Sequence, residues 1–368
     1  LEIPAMPALH HLALQTLYSS VVEGAQAQSV TFQTPGTRVQ RTIRGRMYTY
    51  WRTYLASGQR HDEYLGAAGD PDTDRALEER QQQGQEARDR TTALRTLRLS
   101  GFSVADNSSA LTVALLFSAG IFRQGGVLVG SHTFGALLNS LGVKLASNYP
   151  TEDGDTGTAN RVALAVPGDR RVLDVLRDTG LLFLETAPEP GPRKLSTSFR
   201  RRGRPLKVDL FVPDTGDDYE IRLLPGLKMH ATGLPFFEYL MEGVGDGCLL
   251  GKDRVIPVRL PAPARFALHT LAVSSLRPAE LGMKGRRDLA QAVVMLDAVL
   301  AHYPGWVEEA IDALPDAARA CVGLAAGHAL AYAGKAGDAA RDTLEDLAAL
   351  APDHESSPEP TPFVQPPV

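Results

Sequence analysis

Three aspartates stand where carboxylates can act together. Asp153 and Asp155 are two apart in Pro-Thr-Glu-Asp-Gly-Asp-Thr-Gly, and Asp209 interrupts the apolar run Val208-Asp209-Leu210-Phe211-Val212. In an extended chain the i, i+2 spacing sends the first two side chains to one face, and an adjacent strand can bring the third to them. Three converging carboxylates repel when ionised. A hard divalent cation that prefers oxygen ligands supplies the counter-charge, so magnesium is expected, with Asp153, Asp155 and Asp209 as its ligands. Each cluster also has a plainer reading. Thr-Glu-Asp-Gly-Asp is good turn chemistry, whereas an inward carboxylate at Asp209 needs a partner whatever its role.

Upstream, the segment GGVLVGSHTFGALLNSLG (residues 125 to 142) ends an apolar run at Gly130-Ser131 and resumes with helical spacing. A strand, a tight turn and a helix explain this pattern as packing. The alternative is that the turn holds a phosphate, because amides at a helix start point outward and Gly130 permits a close backbone approach. The Gly-Lys-Ser/Thr ending of a P-loop is absent.

Val129-Gly130-Ser131, Asp153-Gly154-Asp155 and Val208-Asp209-Leu210 follow one another in this order. In this the chain resembles the polymerase-beta-like nucleotidyltransferase superfamily, which combines a hydrophobic residue and Gly-Ser at a helix start, paired acids, and a third acid on a later strand. GGVLVGSHTF and PAPARFALHTLAVSSLRP make it similar to a bacterial family of uncharacterised nucleotidyltransferase-fold proteins, over roughly residues 10 to 310. The chain departs from the superfamily pattern in having 21 residues between Ser131 and Asp153, and in placing Gly154 where a hydrophobic residue usually separates the acids.

The resemblance implies an α+β fold and a magnesium-dependent enzyme. It would transfer a nucleotidyl group from a nucleoside triphosphate, such as ATP, to an acceptor hydroxyl and release pyrophosphate. Asp153, Asp155 and Asp209 are then the catalytic carboxylates, Asp209 orienting or deprotonating the hydroxyl, while Gly130 and Ser131 hold terminal phosphates. The acceptor is open between a small molecule, an RNA and a protein. The alternative is a noncatalytic nucleotide- or RNA-binding protein on the same fold.

Basic residues close to these motifs are candidate triphosphate contacts. Lys207 precedes Asp209 by two positions, after the run Arg200, Arg201, Arg202 and Arg204, which a solvated loop explains equally well. Lys284 and Arg287 lie in MKGRRDLAQA, where Lys284 and Asp288 also have the spacing of a modest helical ion pair. His132 either closes over a phosphate or caps the turn. His230 and His269, beside apolar residues, are expected to be packing histidines, and Phe236, Phe237 and Tyr239 argue first for packing.

The elements that must carry these residues fall into four expected regions: an accessory helix and strand region at 1–110, a nucleotidyltransferase core at 111–260, a helical domain at 261–350, and a proline-rich flexible tail at 351–368. Helices are expected at HLALQTLYSSVVEGA and across the polar run of residues 72 to 99, with one or two strands between 37 and 56. Those strands interleave Arg38, Arg41, Arg44, Arg46 and Arg52 with Tyr48, Tyr50 and Trp51. This is either an RNA-contacting patch or an exposed basic face backed by aromatic packing.

The 38 basic and 43 acidic residues leave a net charge of -5, so no global field selects nucleic acid as a partner. Cys248 and Cys321 are too few for a disulfide scaffold or a zinc site and favour a cytoplasmic setting. No apolar run reaches the roughly 20 residues of a membrane span.

Overall fold

The strand that carries Asp209 alternates strictly. Val208, Leu210 and Val212 are buried on one side, while Asp209 and Phe211 are half-buried on the other. That alternation divides the central sheet into two differently covered faces. The computed structural model describes residues 8–27, 36–54, 60–144, 161–166, 183–185, 198–201, 207–214, 221–224, 229–276 and 282–351.

In chain order the elements are β1 (Ala8–Leu9), α1 (Leu12–Ala27), β2 (Thr37–Ile43), β3 (Arg46–Tyr54), β4 (Arg60–Ala67), α2 (Pro71–Leu99), α3 (Asn107–Ser118), β5 (Val127–Val129), α4 (Ser131–Ser140) and β6 (Val143–Lys144). There follow β7 (Arg161–Ala165), β8 (Phe183–Glu185), β9 (Ser198–Arg201), β10 (Lys207–Pro213), β11 (Ile221–Leu224), β12 (Met229–Leu234), α5 (Phe237–Met241), β13 (Gly245–Leu250) and β14 (Val255–Leu260). The chain continues through α6 (Pro263–Ser275), α7 (Gly282–Leu300), α8 (Pro304–Asp312), α9 (Asp316–Ala329) and α10 (Asp338–Ala348).

The main sheet runs β11-β12-β10-β7-β5, with β9 also paired to β10 and β8 to β9. Strand β10 is parallel to β7 and β12, whereas β5 and β9 run antiparallel to their partners. One face of this sheet, with Leu128, Leu164, Val208 and Leu210, shares a continuous apolar core with α3, α4 and the helices from α6 onward. The opposite face carries a smaller cluster in which Val127, Val129 and Ala165 pack under Leu234, Phe237 and Leu240, so α5 covers only part of it. A third cluster joins Tyr18 of α1, Leu94 and Leu97 of α2, and Cys248 and Leu250 of β13.

The N-terminal region contains two strands between 37 and 56, as the β-branched and aromatic composition predicts, and a third, β4. Arg44 (φ 51°) and Gly45 (φ 77°) form the two-residue turn between β2 and β3, both in the left-handed region that such hairpins use. The long polar helix is α2. Its few buried positions are Thr73 and then Leu77, Gly84, Ala87, Leu94 and Leu97, the last five recurring at intervals of seven and three, a narrow stripe that suffices to dock it.

Candidate functional site

Helix α4 is held in place by specific polar contacts as well as by packing. The buried Asn139 side chain accepts from the Ser103 amide and donates to the Ser103 carbonyl, both at 2.8 Å, which ties the last turn of α4 to the segment after α2. Removing that side chain would leave two backbone groups short of partners, at about 1–3 kcal/mol for each one buried. Preceding α3, Asp106 accepts from the Ser108 and Ser109 amides as an N-cap.

At the other end of α4, Gly130 has φ 79° and ψ −155°, a conformation that side-chain-bearing residues rarely adopt. It turns the chain from the fully buried β5 directly into the helix, whose first closed turn is the bond from the Phe134 amide to the Gly130 carbonyl at 3.2 Å. The amides ahead of Phe134 point out of the helix end, and Ser131, half-buried, stands among them. His132 does not sit over this opening. It is 5% exposed, and burial lowers its pKa, so the imidazole is neutral and belongs to the packed interior. Of the two roles considered for it, closing over a phosphate is the one the structure removes.

Strand register brings the turn to Asp209. Val129 pairs with Ala163 of β7, and Ala163 pairs with Asp209 of β10, which in turn pairs with Ser198 of β9. Directly paired residues project from the same face of a sheet, and adjacent strands are about 4.8 Å apart, so Asp209 lies about 10 Å across the sheet from Val129. Between them in the row is the methyl group of Ala163, half-buried. A Cβ built on Gly130 would meet that methyl at 3.4 Å. Two of the smallest residues thus leave the sheet surface low between the helix start and the carboxylate.

One pleat away, Lys207 pairs with Arg161 of β7 and with Arg200 of β9, so three basic residues occupy one cross-strand row beside the Asp209 row. Arg161 had no signal of its own in the sequence. It precedes an apolar run and lies 46 positions from Lys207, and only the parallel register joins them.

Asp153 and Asp155 lie outside the described residues, as does the Lys284 side chain. Among the described residues no three His, Cys, Asp or Glu side chains gather into a metal-binding group. Asp209 is the described member of the expected set, and its chemistry, a hard oxygen donor on an otherwise apolar strand, fits a magnesium ligand. Arg287 is half-buried near the start of α7, a helix that packs on α4 and α6. His269 is a packing histidine, with Nε2 2.9 Å from the Pro235 carbonyl. Phe237 and Tyr239 are buried, the Tyr239 hydroxyl donating to the Ala310 carbonyl at 2.8 Å.

Part of the accessory arginine set is committed to structure. Arg41, Arg52 and Arg60 converge on Asp62, which holds that carboxyl down to a pKa of about 2, the Arg52 hydrogen bond being the largest cause. Trp51 is 6% exposed and packs on Gly84 of α2, where an added Cβ would approach its ring to 3.2 Å. It is therefore a core residue and offers no face for base stacking. Arg38, Arg44 and Arg46 remain exposed.

The mixed sheet with a Gly-Ser helix start at one strand end and an aspartate two strands away defines an α+β protein with a polymerase-beta-like nucleotidyltransferase core, flanked by an N-terminal accessory region and C-terminal helices. A family model described as nucleotidyltransferase matches residues 108–315, more than half of the 368-residue chain, from α3 through the turn, the sheet and α8. The chain belongs to that nucleotidyltransferase family. No curated protein and no solved structure matches it. Among the described residues no helix is long and apolar enough to cross a membrane.

Proposed function

We propose that the chain binds a nucleoside triphosphate between the Gly130-Ser131 turn and Asp209 and transfers its nucleotidyl group to an acceptor hydroxyl. The observation that carries this reading is the row Val129, Ala163, Asp209: it sets a helix start and a carboxylate on one face, with the methyl group of Ala163 in the row between them. Ser131 and the first amides of α4 hold the terminal phosphates. Arg161, Lys207 and Arg200, which share a cross-strand row by backbone register, are candidates for the triphosphate, as are Lys284 and Arg287.

Magnesium would be held by Asp153, Asp155 and Asp209, and when bound it supplies polarisation of the phosphate and neutralisation of its charge. The residues of the chain orient the reaction. The acceptor oxygen attacks the α-phosphorus in line as the bond to the β-phosphate oxygen breaks. Asp209 takes the hydroxyl proton, and pyrophosphate leaves toward the α4 amides.

Titration of a nonhydrolysable nucleoside triphosphate with and without magnesium, on the native chain and on D153N, D155N and D209N, tests the site. Magnesium-dependent binding that is lost in the variants is the expected result. Unchanged binding in all three would remove the proposal, and a bound structure with the phosphates far from Gly130 would remove the assignment of the turn. Binding without transfer to any hydroxyl would leave the noncatalytic alternative. A salt-sensitive affinity for RNA, weakened by R44Q and R46Q, would make RNA the acceptor class.

A further inference from the structure

At the other end of α4 a cavity of about 530 Å³ opens between the C-terminal turn of that helix, the start of β13, the start of α6 and the first turns of α8. Its volume suits a small organic molecule. The ten residues of α4 separate it from the Gly130 turn by about 15 Å, so an occupant here does not occupy the proposed nucleotide site.

The lining is unusual in two respects. Tyr303 and Trp306 stack on each other with ring centroids 4.2 Å apart and planes 10° from parallel, yet the residues stay 43% and 45% exposed. Around them, among the described residues, stand three carboxylates, Glu242, Asp246 and Glu309, against one cation, Arg265. That arginine is already engaged, 2.8 Å from Glu242 and with its guanidinium 4.9 Å from the Tyr239 ring centroid. Arg259, opposite Asp246 in the hairpin, does not line the cavity. The start of α8 contributes about half a positive charge at most, which does not offset Asp246 and Glu309.

We propose that this cavity is a second binding site, for a small organic cation, a protonated or quaternary amine. Its charged head would lie between Asp246 and Glu309 and against the outward faces of the Tyr303 and Trp306 stack, where ring quadrupole and carboxylate attract the same charge.

Choline and its uncharged carbon counterpart 3,3-dimethylbutan-1-ol are the probes, titrated into the full chain by calorimetry and by tryptophan emission. Trp51 is buried, so an aqueous ligand that perturbs emission reports on Trp306. Choline is expected to bind saturably and at least about threefold more tightly than the alcohol. The double substitution D246N/E309Q, at exposed positions, is expected to reduce that preference while leaving the alcohol unaffected. W306L is expected to weaken choline binding, and D209N to leave it unchanged, which separates this site from the nucleotide site. Equal affinities for choline and the alcohol, no saturable response to choline in the native chain, or an undiminished preference in D246N/E309Q would each overturn the proposal.

Discussion

The open face of the accessory sheet and the half-covered face of the main sheet both place charged residues on strands, and they use them in opposite ways. In the accessory sheet Arg41, Arg52 and Arg60 surround Asp62, Arg41 lies 4.8 Å over the Tyr50 ring, and Tyr50 meets Tyr64 edge to face at 5.4 Å. These side chains have neighbours of matching chemistry within the sheet. On the main sheet Asp209 shares its row with Ala163 and Val129, and the ground beside it is kept low by Ala163 and Gly130. Charge closed in by its own neighbours holds a sheet together. Charge on a sheet face near a helix start, with Ala163 and Gly130 as small neighbours, is the arrangement that the proposed function assigns to a ligand.

The sharpest way to break this comparison is to neutralise the two aspartates in turn. D209N is expected to weaken magnesium-dependent nucleotide binding by about 10- to 100-fold or more, because even groups that only support a metal's ligands are worth that much. D62N should show the converse, with native nucleotide affinity and a less stable fold. Equal nucleotide affinities for D209N and the native chain would place the two carboxylates in the same structural class.

A163L sharpens the comparison without touching any charge. The leucine would fill the ground between Gly130 and Asp209, and nucleotide affinity is expected to fall at least about tenfold by steric exclusion. The stability cost should stay below about 3 kcal/mol, since the residue is half-buried beside an open surface. Nucleotide titration alongside thermal melting separates the two effects. Native affinity in a folded A163L chain would show that the phosphates lie elsewhere.

G130A has a smaller expected effect. The added methyl meets only ordinary contact at 3.4 Å from Ala163, so the cost is conformational: about 1–3 kcal/mol for holding a side-chain-bearing residue at φ 79°. A melting temperature equal to that of the native chain would mean the turn relaxes freely, and its role in fixing the start of α4 would then fall.

How much of this was legible in the sequence follows from range. Val129-Gly130-Ser131 reads as a strand, turn and helix from contiguous residues, and Asp209 is conspicuous because its neighbours are apolar. The α+β class follows from the family resemblance that those motifs carry, and the polar helix α2 from a long polar run with sparse apolar anchors. Ala163 was not legible, since an alanine in an apolar strand carries no signal until register sets it between Val129 and Asp209. The row of Arg161, Lys207 and Arg200 likewise exists only through pairing between distant segments. Trp51 looked like a stacking platform because its immediate neighbours are arginines and tyrosines. Its burial depends on Gly84, 33 positions later in a helix whose composition is almost wholly polar. The cavity beside Tyr303 and Trp306 draws on four separate elements, so no local pattern announced it.

The smallest expected effect is the pH dependence of the accessory sheet, and its sign is fixed by Asp62. The hydrogen bond and charge of Arg52, reinforced by Arg41 and Arg60, hold the carboxyl at about 2 in place of its ordinary 3.8. A lowered carboxyl pKa means the unfolded chain takes up protons first as the solution is acidified. The stabilising contribution is therefore fully present above about pH 4, declines as pH falls below it, and is gone below about pH 2. Asp297 works in the opposite direction. It is buried at the end of α7 with one oxygen accepting from the Gly337 amide at 3.0 Å, and burial raises its pKa, so its contribution is lost as pH rises from the ordinary carboxylate range through that raised value. Melting curves of the native chain, D62N and D297N between pH 2 and pH 7 distinguish the two. D62N should lose part of the acid sensitivity of the native protein, whereas D297N should lose part of the decline toward neutral pH. The Asp62 difference should shrink in high salt, because the arginines around it are partly exposed and their attraction is screened. Identical acid limbs for D62N and the native chain would mean that the ion-pair cluster forms without stabilising the sheet, and its arginines would then be available to a partner after all.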